Sequence, residues 1–515
     1  MNRRGSLRMG ILLALGLAAC AKRPAPASVE ALNEYFAALA QSQQFTGDVL
    51  VAEHGRVVFE RSFGYADFAS RRPNTSGVRF PIASISKVLT GTAILQLAEA
   101  GTLRMADPVV KYLPGFPYPT VTIRHLLSHT SGLPPYNAYF DSLRTAHPDR
   151  VFTNADFLPG LRAGPRPPIY RPGDKENYDN INFIVLADII ERVSGTPYDE
   201  YIAKHVLRPA GMRHTTFLPL GLQFRDSTSA DLAYPHIYPH VYSAEPIRGS
   251  AIPYVVSYWN AYRFAGFGDY VSSTRDLLRF DDALYRGRLL SGTTLREAYT
   301  PVRLNDGTEN PDRFGLGWEI EKDTSLGTIV YHSGAATGLS CVLLRNVSRH
   351  QTVIVFDNAH YNAHEIATNA MMIVNGRRVP RPKKSIARVF GMVLASRGPE
   401  AARDTLEKLR DDTATYALSE GEINSLGYDF MATDNPYHLP TAPRYADALD
   451  VFKVNVALFP SSANVYDSYG EALLATGKAA EALRMYERAL DLNPESANAR
   501  KMVAQLRRTV RHRRP

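Results

Sequence analysis

Several things are missing from this chain. No HExxH motif and no glycine-rich phosphate loop occurs anywhere in it, so zincin and P-loop chemistry are set aside. The pairs His125/His129 and His236/His240 have i, i+4 spacing, but neither belongs to an HExxH motif, so a zinc site is not expected. Cysteine is nearly absent, with Cys20 and Cys341 the only two in 515 residues, and Cys341 reads as strand core rather than as a nucleophile. The N-terminal apolar run, Met9 to Leu17, is too short to span a bilayer. Hydrophobic residues at 45% and charged residues at 21% exclude wholesale disorder and a multi-span membrane protein. The net charge, 59 − 51 = +8, comes largely from "GRRVPRPKK" (376–384) and the tail "RRTVRHRRP" (507–515). Neither run is interleaved with stacking aromatics, so nucleic acid is not the expected partner.

What is present begins with Arg3, Arg4 and Arg8 before that apolar run, the order of a secretory signal. The run ends in Leu17-Ala18-Ala19-Cys20, which resembles a bacterial lipobox. The resemblance implies a lipoprotein signal peptide over 1–19 and acylation of Cys20, with a Pro/Ala tether over 20–30. Cys20 then makes no disulfide. Ala21 after the cysteine leans toward the outer membrane. The expected location is the bacterial cell envelope, lipid-anchored on the periplasmic side. Several acyl chains, at about 0.8 kcal/mol per buried methylene, hold a protein on a membrane without any transmembrane helix.

A chain of 515 residues calls for more than one compact unit. "GDVLVAEHGRVVFERSFGYAD" alternates around His54-Gly55, a two-residue hairpin signal. Far downstream, "GLGWEIEKD", "GTIVYHSG", "LSCVLLRN" and "QTVIVFDN" are four more strand candidates. Strands at both ends of 31–375 with helices between predict an α/β (α+β) domain, its antiparallel sheet built from both ends around a helical insertion. The region 376–415 reads as a basic linker and helices. After it, Pro460 and Pro494, Ala448 and Ala482, and Phe452 and Tyr486 each recur at the same 34-residue offset. That period resembles tetratricopeptide helix hairpins over 416–510, with "DNPYHLPTA" inserted in the upstream unit. Two repeats are too few to stand alone, so they are expected to lean on neighbouring helices or on the larger domain.

In "ASISKVLTGTAILQLAEAG" the apolar residues recur at helical spacing and Gly101 ends the run. Ser84 lies three residues before Lys87 and shares its face, whereas Ser86 points about 100° away. Ser84 is thus the serine that can pass a proton to Lys87, and a helix N-terminus favours a developing alkoxide. "RPGDKENYDNINFIVLADIIERVSG" places Tyr178-Asp179-Asn180 before an amphipathic helix. "IVYHSGAATGLS" places His332-Ser333-Gly334 at the end of a strand.

Taken in order, a serine-lysine helix, a Tyr-x-Asn loop and a basic-x-Gly strand resemble the class C β-lactamases, DD-peptidases and related serine esterases. "TIRHLLSHTSGLP" and "GDYVSSTRDLLRFDDAL" look like stock segments of that family. The resemblance implies Ser84 as acylated nucleophile, Lys87 as its proton acceptor and Tyr178 as proton donor to the leaving group. Asn180, His332, Gly334 and Ala335 would bind substrate, with the backbone N–H groups of Ser84 and Ala335 forming the oxyanion hole. No cofactor or metal is implied. Relatives that recognise penicillin often carry lysine where His332 stands. A histidine is mostly neutral at pH 7 and gains charge toward pH 6, so ester or amide hydrolysis is expected over β-lactam hydrolysis. The rivals are a DD-peptidase or D-amino-acid-selective peptidase, and a non-turnover binding protein that uses the repeats for protein contacts.

Overall fold

A computed structural model of the chain describes residues 26–225, 230–433, 439 and 441–511. The signal segment and Cys20 lie outside the described residues, as does most of the "DNPYHLPTA" insertion. Helix α1 (Pro26–Gln41) precedes a hairpin of β1 (Gly47–Glu53) and β2 (Arg56–Phe63). Its two-residue turn has His54 at φ 50° and Gly55 at φ 72°, both left-handed as a type I′ turn requires. Two helices of the middle region matter most: α2 (Ser86–Glu99) and α3 (Ile181–Ser194). Four strands follow, β3 (Glu319–Ile320), β4 (Ile329–Ala336), β5 (Leu339–Asn346) and β6 (Gln351–Asp357), and then helix α4 (Ala363–Val374).

The six strands form one sheet in the order β3-β4-β5-β6-β1-β2, antiparallel at every pairing. The expected closure from both ends is therefore the β1–β6 pairing, with Val49 opposite Val355. Both faces of the sheet are covered. Val49, Val51, Val342, Leu344, Val353 and Val355 pack beneath α1 and α4, while Leu50, Leu343, Cys341, Ile354 and Phe356 face α2, α3 and the rest of the middle region. Each fully buried aliphatic of this kind contributes about 1.5–3 kcal/mol. The layering explains why β5 and β6 are buried along their whole length and read as near-continuous apolar runs. Helix α3 departs from the amphipathic expectation. Between Ile181 and Ile190 only Asp188 escapes full burial, because this helix runs through the middle of the larger core.

The C-terminal part is helical: α5 (Ile386–Arg397), α6 (Pro399–Leu409), α7 (Glu420–Met431), α8 (Tyr445–Leu458), α9 (Ala463–Ala475), α10 (Ala479–Leu492) and α11 (Ala497–Arg511). Two helix hairpins, α7/α8 and α9/α10, account for the 34-residue recurrence. A Cβ on Gly427 would sit 2.5 Å from the ring of Phe452, and one on Gly470 would sit 3.1 Å from that of Tyr486. The glycines are where the second helix of each pair brings an aromatic ring against the first. The repeats lean in both ways foreseen. Phe390 and Leu394 of α5 share a core with Leu426, Phe430 and Phe452. Tyr242 of the larger domain stacks on Phe430 at 4.3 Å between ring centroids, and His240 Nδ1 lies 2.7 Å from Asp429 Oδ1.

Candidate active site

Ser84 sits in a short 3₁₀ turn, Ala83–Ile85, just ahead of α2 rather than inside it. Ala83 has φ 40°, a left-handed conformation that a side chain rarely adopts, so the turn is sharp and lifts the serine out of its surroundings. From Phe80 to Leu95 every residue is buried except Ser84. Ser86, the competing serine, is wholly buried, and its Oγ accepts a hydrogen bond from the Tyr270 backbone N–H at 3.3 Å. That leaves Ser86 a structural role.

Lys87 is also wholly buried. Its Nζ lies 2.8 Å from Ser84 Oγ, 2.8 Å from Asn180 Oδ1 and 3.3 Å from the Phe267 carbonyl oxygen. Desolvation lowers its pKa to about 7, against the upward pull of Asp179, Asp269 and Glu319. The two protonation states therefore coexist near neutrality. A neutral amine has two N–H bonds, which suit the two carbonyl oxygens, and one lone pair, which is left for the Ser84 hydroxyl proton.

Tyr178 completes the group from the loop before α3. Its ring centroid lies 4.8 Å from Lys87 Nζ and 4.3 Å from the ring of His129. The residue as a whole is 40% exposed, but its hydroxyl is buried beside the Ser84 side chain. Burial raises its pKa well above the ordinary tyrosine value, with the Ser84 side chain opposing. Tyr178 therefore keeps its proton through the neutral range.

The sheet supplies the other wall. His332, Ser333 and Gly334 lie inside β4 rather than at its end, since the strand continues to Ala336. Strand β3 pairs only with Val330 and Tyr331, so beyond Tyr331 that side of β4 has no strand partner among the described residues. Ala335 is the one exposed residue of β4. A Cβ on Gly334 would meet the Ile82 carbonyl oxygen at 2.6 Å, Cys341 Sγ at 2.7 Å and the Ser84 backbone nitrogen at 3.0 Å. Glycine at 334 is what lets the strand approach the serine turn. Cys341 is core, as expected: its Sγ donates to the Ile82 carbonyl at 3.1 Å, and burial pushes its thiol far up.

His332 corrects one expectation. It is 1% exposed, its Nδ1 lies 2.7 Å from the Ser333 carbonyl oxygen, and its pKa is lowered to about 3 by burial, reinforced by Lys87. It does not gain charge near pH 6. Asn180 likewise serves Lys87 through Oδ1, which leaves its Nδ2 for a ligand.

Two contributors escaped the sequence-based reading. His129 is wholly buried, and its Nδ1 accepts from the Asp179 backbone N–H at 3.2 Å and from Asn182 Nδ2 at 3.0 Å. It fixes the Tyr178 loop from below. Asp269 is buried too. Its Oδ1 accepts from the N–H groups of Gly266 and Gly268, and desolvation raises its pKa to about 6. The stock segments containing both were the only signal. His125, by contrast, caps its own short helix, its Nδ1 accepting from Thr122 N–H.

A family model described as Beta-lactamase matches residues 32–377. The chain belongs to the beta-lactamase family. A second family model, Tetratricopeptide repeat, matches residues 463–506. Penicillin-binding protein 4* of Bacillus subtilis (strain 168) is 36% identical over 333 residues, covering 64% of this chain and 71% of that protein. A D-aminopeptidase of Cereibacter sphaeroides is 28% identical over 335 residues, covering 64% of this chain and 60% of that one. Among solved structures, a penicillin binding protein from Bacillus halodurans superposes with a TM-score of 0.55 at 27% identity, covering 66% of this chain and 99% of that one. As a beta-lactamase-family member with such relatives, the chain is a peptidase-like serine hydrolase.

Proposed function

We propose that this beta-lactamase-family domain hydrolyses ester or amide bonds through an acyl-enzyme on Ser84. The observation that carries the proposal is the 2.8 Å approach of Lys87 Nζ to Ser84 Oγ by an amine whose pKa is lowered to about 7. Neutral Lys87 takes the serine proton as Oγ attacks the carbonyl carbon. The carbonyl oxygen becomes an oxyanion facing the backbone N–H groups of Ser84 and Ala335. Tyr178 donates its hydroxyl proton to the leaving amine or alcohol as the carbon–heteroatom bond breaks, and Lys87 returns a proton to Tyr178. In the second half a water takes the place of the leaving group and attacks the acyl carbon, giving its proton to the same pair, and the pair returns a proton to Ser84 Oγ as the ester bond breaks and the acid departs.

The name of one relative, D-aminopeptidase, favours amides of D-amino acids as the substrate class. The neutral His332 argues against efficient β-lactam turnover, because it offers no cation to a substrate carboxylate. In this reading the Cys20 anchor holds the enzyme on the periplasmic side of the envelope, and the tetratricopeptide hairpins dock a protein partner. The test is one substrate panel on the chain from residue 21, which retains every described residue. It comprises short-chain p-nitrophenyl esters, D-alanine p-nitroanilide, a D-Ala-D-Ala peptide and a chromogenic cephalosporin. Turnover of the ester and at least one D-amino-acid amide supports the proposal. Acylation without turnover of any member favours the binding protein.

A further inference from the structure

The basic linker belongs to a surface that the hydrolytic reading does not use. After α4 the chain runs back along α1, and the two enclose a groove of about 590 Å³ lined by Glu34, Tyr35 and Gln41 on one side and Arg377, Arg378 and Arg381 on the other. Arg377, Arg378, Arg381 and Lys383 are exposed. Arg349, also exposed, joins them through a hydrogen bond from its Nη1 to Asn375 Oδ1. Among the described residues none of these five cations forms an ion pair within 4.0 Å. Glu34 is the one acid lining the groove, and Asp323 lies near enough to Arg377 to feel its charge. Uncompensated charge gathered this way self-repels and is relieved by an anionic surface.

We propose that this face, formed by the α1 edge and residues 377–383, lies against an anionic phospholipid surface, with the guanidinium groups on headgroup phosphates. Chain length argues for lipid over other polyanions. Six residues, 20–25, join Cys20 to the start of α1, and they reach roughly 20 Å at most when fully extended. With Cys20 acylated, the envelope-anchor reading on which this proposal rests, that end of α1 stays within reach of the headgroups. The arrangement has a functional consequence. Helices α1 and α4 cover one face of the sheet and the Ser84 turn packs on the other, so a membrane against α1 leaves the serine side of the sheet free for substrates in the periplasm or the cell wall.

The experiment uses the chain from residue 21, without lipid, sedimented with vesicles of phosphatidylcholine alone or mixed with phosphatidylglycerol. Binding is expected only to the mixed vesicles and is expected to weaken steeply with salt. Each arginine near such a surface contributes roughly fivefold to the partition coefficient, so the variant R377Q/R378Q/R381Q should bind roughly a hundredfold more weakly. Its unchanged ester turnover would show that it folds. Lys501→Gln with Arg508→Gln in α11 serves as the control and should leave binding intact. Equal binding by the triple variant and the wild type overturns the proposal. So does loss of binding in the α11 variant alone, and so does sedimentation with an isolated anionic cell-wall polymer but not with vesicles. Acyl mass on Cys20, measured separately on the membrane-extracted protein, reports on the anchor, so failure of either reading is visible without the other.

Discussion

Gly334→Ala should separate stability from catalysis, and the size of its effect follows from the geometry. The new methyl would sit 2.6 Å from the Ile82 carbonyl oxygen. Reaching an ordinary contact of about 3.4 Å means a shift of 3.4 − 2.6 = 0.8 Å between β4 and the turn that carries Ser84. Neither partner yields easily: the contacted atom is backbone, two residues from Ser84, and Ile82 N–H is itself bonded to the Tyr270 carbonyl at 3.0 Å. Overpacking of this kind costs about 1–3 kcal/mol of stability. A misplacement approaching 1 Å at the reacting group costs about 10²-fold in rate. Expected, then, are a lower Tm and a kcat/KM for a p-nitrophenyl ester reduced about 30- to 100-fold. Adding Cys341→Ala removes the 2.7 Å Sγ contact and should recover part of the Tm but little of the rate, because the carbonyl contact remains. Gly77→Ala, whose Cβ would meet only Thr75 Oγ1 at 4.0 Å, should change neither. A folded Gly334→Ala enzyme with wild-type kcat/KM would refute the close strand-to-serine packing as a requirement of the site.

Three further outcomes are expected. The kcat/KM for a neutral ester should rise about tenfold per pH unit up to about pH 7, where Lys87 loses its proton, and then stay level, since Tyr178 titrates well above its ordinary value; a profile flat from pH 5 to 8 would exclude Lys87 as the base. His332→Lys should improve acylation by benzylpenicillin relative to a neutral ester, an ammonium at about 4 Å being worth on the order of 4 kcal/mol before desolvation at an effective dielectric near 20. In wild type that ratio should not move between pH 8 and 5, because His332 titrates only at about 3; a ratio unchanged in the mutant would put carboxylate recognition elsewhere. Asp48, 2% exposed in β1, has a pKa raised to about 8 by burial. Its folded form binds the proton more tightly than the unfolded chain, so its contribution is full below about pH 4 and is lost as pH rises through 8. Asp48→Asn should therefore flatten that decline and add on the order of 2–4 kcal/mol at pH 8, read by urea unfolding at several pH values; an equal decline in the variant would assign it to other groups.

The hairpin at His54-Gly55 and the downstream strands were legible because period-two alternation and a left-handed turn pair are local signals. The repeats were legible because Phe452 and Tyr486 recur where Gly427 and Gly470 leave room for them. Ser84 and Lys87 could be paired from spacing alone, since a 3₁₀ turn running into a helix keeps residues three apart on one side. What depends on burial was not legible. Helix α3 shows an apolar stripe in sequence, but nothing local says that its polar side is covered as well. The lowered pKa of Lys87 arises from burial among segments as far along the chain as Phe267, which no spacing rule connects to residue 87. His129 looked like scaffold because its partners, Asp179 and Asn182, are some fifty positions away, and only the fold brings them beneath Tyr178.

The proposed hydrolysis rests on acylation of Ser84, activated by Lys87. The direct measurement is intact-protein and peptide mass analysis after reaction with a fluorophosphonate probe, on wild type, Ser84→Ala, Ser86→Ala and Lys87→Ala. One adduct is expected, on the peptide carrying Ser84, retained in Ser86→Ala, absent in Ser84→Ala and formed at least about 10²-fold more slowly in Lys87→Ala. Labelling that survives Ser84→Ala and vanishes in Ser86→Ala would contradict it.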